Sequence, residues 1–240
     1  DVSNCWWCIY CAERIDFDCT AFDTKQVTCR CMKKLFIILI SGTALVVAVA
    51  GAAAWLSWQP QSWYDPPDYS DPEVSTFADR AEYRLNEEFH KIRLPEDTWR
   101  LRISDEAMNS WLSGRLEDWL THDEDIEIPN EVQGLQVHTT VDGIWFAAMV
   151  EIDDSKPRPI AVLLQFWLNN EKGHVEPSAI RFGKIPLPLS LLNAVFESME
   201  AEFGTFDPII PLMDDREVEI TEIDFEEGAI VITCRTYLPQ

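Results

Sequence analysis

The chain has 240 residues, 47% of them apolar and 25% charged, with 42 acids against 19 bases and a formal net charge of −23. This is a globular composition, neither disordered nor collagenous. Affinity for nucleic acid comes largely from Lys and Arg neutralising phosphates, so a pI near 4.3 argues against a nucleic-acid partner.

Six of the seven cysteines (Cys5, Cys8, Cys11, Cys19, Cys29 and Cys31) fall within the first 31 residues. Four of these thiolates could serve a zinc ion, but the spacing matches no standard knuckle. Met32-Lys33-Lys34 stands directly before an uncharged apolar run, as a start would. Residues 1–31 are therefore expected to be a cytoplasmic tail or upstream sequence. The run from Leu35 to Leu56 has no ionisable side chain and is long enough to span a bilayer as a helix. Residues 32–57 are thus a transmembrane anchor, or a signal peptide cut near Ala52-Ala53-Ala54. Lys33 and Lys34 precede the run while Asp65, Asp68 and Asp71 follow it. The positive-inside bias then places the amino terminus in the cytoplasm and the remainder outside the cell membrane. Trp55, Trp58, Trp63 and Tyr64 suit the far membrane interface.

Residues 58–240 carry 37 of the acids and 14 of the bases, a solvated acidic coat. With Cys234 as its one cysteine, this part depends on a packed core and not on disulfides. Residues 58–74 mix Pro with Asp and read as a semi-extended spacer before a domain at 75–240. Ser75 is placed to cap a helix to about His90, with Phe77, Ala81, Leu85 and Phe89 on one face. Trp99 to Ile103 alternates apolar and basic residues like a half-buried strand. Ser104 caps the next helix ahead of Asp105-Glu106, and Met108, Trp111, Leu112, Leu116, Trp119 and Leu120 form its stripe. That stripe is either an ordinary core face or a plug inside a curling sheet.

From Val132 the period becomes two, and Asp142-Gly143 marks a hairpin turn. Strands at 160–168 and around 174–182 extend a meander. Two strands are apolar on both faces: Trp145, Ala147 and Met149 oppose Phe146 and Ala148, and Leu163 and Trp167 oppose Val162, Leu164 and Phe166. Such a sheet is covered on both sides or lines an apolar groove. Gly183 to Pro188 breaks the pattern before a helix from Ser190 to about Phe203. A closing hairpin spans 217–225 and 229–237, with a bulge expected near Thr221-Glu222, where the apolar parity switches. The fold expected is α+β: an N-terminal transmembrane helix, then a curled antiparallel β-sheet packed on amphipathic helices.

The anchor at 35–56, the step Leu101-Arg102-Ile103-Ser104-Asp105-Glu106-Ala107-Met108-Asn109, the double-faced strands at 144–168 and the step Gly183-Lys184-Ile185-Pro186-Leu187-Pro188 form a recognisable order. With the terminal acidic hairpin, it resembles the YpmS-type membrane-anchored proteins of bacterial envelopes and, more distantly, tubular lipid-binding (TULIP-like) domains. The resemblance covers about 200 residues as pattern more than signature, and the acidic charge and long Pro/Asp spacer depart from it. It implies a curled sheet and the handling or sensing of a lipid or envelope polymer, with no catalytic residues to carry over.

His122-Asp123-Glu124-Asp125 with Glu127 is the densest ligand cluster, but it lacks the alternation and central glycine of a calcium loop and reads as solvated. No nucleophile elbow or phosphate-cradling glycine loop occurs. No catalytic residue, metal site or cofactor is expected, and the protein is read as non-enzymatic. The expected function is binding a lipid-like or apolar ligand in the concave sheet, lined by Trp145, Met149, Leu163 and Trp167. The expected partners are the membrane and that ligand. A module docking an envelope protein through an exposed apolar edge is the alternative.

Overall fold

Each apolar side chain of Val, Leu, Ile or Phe size contributes about 1.5–3 kcal/mol when buried, so the fold follows from where the two-faced strands find cover. A computed structural model describes residues 24–68, 71–94, 97–116, 131–151, 156–169, 172–191, 204–212 and 214–237. The chain divides into two units, Asp1–Gly51 and Ala52–Gln240. In the first lies most of helix α1 (Thr24–Ser57), which starts upstream of the expected Met32. Its segment Phe36–Ser57, with mean hydropathy 2.4, is long and apolar enough to cross a membrane, and its apolar window is unburied. The expected helix from Ser190 to Phe203, the stripe residues Trp119 and Leu120 and the cluster at 122–127 lie outside the described residues, save a 3-10 turn at Leu189–Leu191.

The second unit is α+β. Helix α2 (Pro72–His90) begins three residues before the expected Ser75, because the Asp71 carboxylate accepts from the Glu73 N–H and Pro72 suits the first helical position. Strand β1 (Thr98–Ser104) leads into α3 (Asp105–Gly114), capped as expected by Ser104, whose Oγ accepts from the Ala107 N–H at 3.3 Å. There follow β2 (Val132–Thr140), β3 (Gly143–Val150), β4 (Arg158–Asn169), β5 (Lys172–Phe182), β6 (Ile185–Leu187), β7 (Thr205–Phe206), β8 (Ile209–Pro211), β9 (Glu217–Glu226) and β10 (Ala229–Tyr237). The β2–β3 turn needs Gly143, which sits at φ +136° and where a Cβ would overlap the Leu164 carbonyl oxygen.

The strands do not form one curled sheet. They form two open antiparallel sheets, one ordered β2-β3-β4-β5-β6 with β7 beside β5, the other β1-β10-β9-β8. The division arises because β1 pairs with the far end of the chain, Thr98 with Arg235 through Ser104 with Ala229, and not with the β2 that follows it. The bulge expected near Thr221-Glu222 is present: Thr233 pairs with Glu222 and Cys234 with Ile220, leaving Thr221 over. Thr221 Oγ1 donates to the Thr233 carbonyl at 3.1 Å.

The larger sheet is covered on one face and over the middle of the other. On one, Val137, Ile144, Phe146 and Phe166 meet Ile230, Ile223 and Phe225 of the smaller sheet, with Met108 and Leu112 of α3 closing the cluster. The Phe166 and Phe225 rings lie 6.2 Å apart. On the other face, Trp145, Ala147, Ala161 and Leu163 pack under Trp63 and Tyr64. Cys234 is fully buried in β10, and that burial pushes its thiol up to about 11. A thiolate is the reactive form, so native protein at pH 8 is expected to leave the Cys234 peptide unmodified by iodoacetamide and denatured protein to modify it, as peptide mass mapping would read.

Candidate functional site

The four expected groove residues share a face of the larger sheet, since Trp145 pairs with Leu163 and Met149 and Trp167 keep the same parity. That face is not an open groove. Trp145 is 8% and Leu163 7% exposed, beneath Trp63 and Tyr64 of the same chain. Met149 is half-buried, and Trp167 lies exposed with its ring stacked on His174 at 5.5 Å.

The cover is the segment 57–66, read from sequence as a spacer and as interface aromatics. Ser57 accepts from the Arg158 guanidinium at 3.2 Å, and that guanidinium lies 4.1 Å from the Trp58 ring centre. The Gln61 amide donates to the Gly183 carbonyl, while its oxygen accepts from Arg181 at 3.0 Å. Arg181 in turn lies over the Trp145 ring at 4.6 Å. Gly183, at φ +58°, lets the chain pass so close to Leu56 and Ser57 that a Cβ would overlap their carbonyl oxygens. Tyr64 Oη donates to the Gly134 carbonyl at 2.6 Å, and Gln136 accepts from the Asp65 N–H at 2.7 Å. These bonds help to explain why Trp63 and Tyr64, aromatics suited to a membrane interface, settle on the sheet: the Tyr64 hydroxyl finds a backbone partner there while the rings cover Trp145 and Leu163.

Where this segment ends, Trp63 stacks on His138 at 4.9 Å. His138 Nδ1 lies 3.0 Å from an Asp105 carboxylate oxygen, and both Asp105 oxygens accept from the Thr139 N–H. One turn on, Asn109 accepts from the Val137 N–H at 2.7 Å and donates to the Val137 carbonyl at 2.9 Å. The Asp105 and Asn109 side chains thus pair with the open edge of β2 as a further strand would. The neighbouring Ser104 hydroxyl accepts from the Ala107 N–H at the cap of the same helix. Among the described residues no group of three or more His, Cys, Asp or Glu could hold a metal ion.

The open space is elsewhere. A cavity of about 980 Å³ lies among α2, β1 and α3, a volume in the range of ligand sites. Its apolar lining includes Phe77, Leu85, Leu101, Ile103, Met108 and Phe146. The helix α2 supplies the stripe Phe77, Ala81 and Leu85 at spacing four, and β1 supplies Leu101 and Ile103 from one side of its pleat. Four of the chain's arginines, Arg80, Arg84, Arg100 and Arg102, also line it, with Glu82, Glu87 and Glu88. Most of these charges are paired. Arg100 meets Asp224 at 3.0 Å and Arg102 meets Glu226 at 3.0 Å. Glu82 meets Arg115 at 3.2 Å, and Glu88 binds Lys91 and Arg93. The hydrogen bond from Lys91 is the main cause holding the Glu88 carboxyl below its ordinary value. The α2 stripe and the alternation of β1 are legible in the sequence, but their convergence is not; the available cue is a cluster of arginines in so acidic a chain.

No protein-family model matches the chain, and comparison with curated proteins finds no match.

Proposed function

We propose that this chain is a membrane-anchored domain that holds a lipid-like or apolar ligand without transforming it, in the cavity among α2, β1 and α3. One observation carries the reading: about 980 Å³ of space floored by Leu101, Met108 and Phe146 opens beside the packed clusters of the two sheets. Filling such a space with the ligand's apolar surface is favourable at about 25 cal/mol per Å² removed from water. A span at Phe36–Ser57 would keep the domain at a lipid source. With Lys33 and Lys34 before the span and acids after it, the domain lies outside the cytoplasmic face of the cell membrane. This reading accords with the resemblance in element order to membrane-anchored envelope proteins of the YpmS type.

Native mass spectrometry of a chain beginning at Ala52 tests the proposal. An adduct of lipid mass that organic extraction removes is expected; a bare protein mass, together with no uptake of added amphiphile, would defeat it. The docking alternative rests on Ile92 and Leu94, 95% and 72% exposed just after α2. Loss of a co-purifying envelope protein on Ile92→Ser/Leu94→Ser substitution, with no lipid adduct, would favour it instead.

A further inference from the structure

We infer that the cavity takes an anionic amphiphile, a fatty-acid-like carboxylate whose head pairs with Arg80 and Arg84; the inference rests on the ligand-binding reading above. Arg80 and Arg84 stand one helical turn apart on α2, beside the stripe Phe77, Ala81 and Leu85 that faces the cavity. Like charges at this spacing repel and cost the helix a few tenths of a kcal/mol. The cavity's other arginines, Arg100 and Arg102, are matched by Asp224 and Glu226. Arg80 and Arg84 have no carboxylate within ion-pair distance among the described residues, in a chain with 42 acids to choose from. Two unmatched guanidiniums at the lip of an apolar space are complementary to a molecule with one negative end and one hydrocarbon tail.

The test uses the full chain in neutral phosphatidylcholine vesicles, photolabelled with a diazirine-bearing long-chain fatty acid or with the matching fatty alcohol, and mapped by peptide mass spectrometry. The acid is expected to label peptides of α2 and α3, and Arg80→Gln/Arg84→Gln to cut that labelling about tenfold, the size expected for lost charge-assisted hydrogen bonds. Alcohol labelling should be unchanged, and Arg80→Lys/Arg84→Lys should restore most of the acid's. Equal labelling by acid and alcohol, indifferent to the arginines, would overturn the carboxylate inference while leaving the cavity a ligand site. Loss of both probes in the Gln variant, or no restoration by Lys, would also overturn it. Labelling by neither probe on α2 or α3 would overturn the ligand-binding reading itself.

Discussion

A chain that begins at residue 67 is expected not to fold, whereas one that begins at Ala52 unfolds cooperatively on heating. The shorter chain lacks Trp63 and Tyr64, and it leaves Trp145 and Leu163 facing water. At about 1.5–3 kcal/mol for each large apolar side chain, these four together are worth on the order of 6–12 kcal/mol. That is comparable with the entire stability of a typical domain, about 5–15 kcal/mol. The loss extends to polar groups: the Gly134 and Gly183 carbonyls lose Tyr64 and Gln61, and Arg181 loses the Gln61 oxygen beside the Trp145 ring. Near-ultraviolet circular dichroism and thermal melts of the two chains decide the matter. Superimposable melts would show that the segment merely rests on the sheet.

Replacing Asn109 with Ala is expected to destabilise the domain by about 2–4 kcal/mol, because it strands two buried backbone groups at once. Asn109 is 8% exposed and Val137 3%, and the amide bonds both the N–H and the carbonyl of Val137. Water cannot readily replace the lost partners behind α3. Asn109→Asp offers no rescue, since a carboxylate oxygen would then face the Val137 carbonyl. For a unit of this size the melting temperature should fall by about 4–16 °C. Glu106→Ala, an exposed change on the same helix, should stay within about 0.5 kcal/mol. A urea midpoint for Asn109→Ala equal to that of the Glu106 variant would mean that the edge of β2 does not need this cap.

What could be read from the sequence was local. Ser104 caps α3 because a hydroxyl before two acids suits the positive end of a helix, and Gly143 turns the β2–β3 hairpin because few other residues adopt its backbone angles. The Thr221 bulge was visible as a change of parity between Ile220 and Ile223. Long-range partners were not legible. The pairing of β1 with β10 has no trace in period or turn chemistry, so one curled sheet was expected where two open ones exist. The stretch 58–68 has no apolar period and is rich in Pro and Asp, the marks of a spacer; its role comes from partners such as Arg158, Arg181 and Gly183, more than ninety residues away. Asp71-Pro72 was counted with the same spacer although it starts α2. For the candidate site, parity correctly placed Trp145, Met149, Leu163 and Trp167 on one face, but it could not reveal that the chain roofs that face itself and leaves its vacant space beside α2.

The pairing of β1 with β10 also sets a timetable. Thr98 waits for Arg235, and Gln61 for Gly183, so the earliest stretches of the domain to be synthesised find their places only when nearly all of it has been made. Closing such long loops precedes the contacts that repay the closure, which makes assembly slow and leaves tryptophan-bearing strands naked in the meantime. The apolar surface exposed during that wait favours aggregation, so the yield of the folded domain should track chaperone supply more closely than its own final stability.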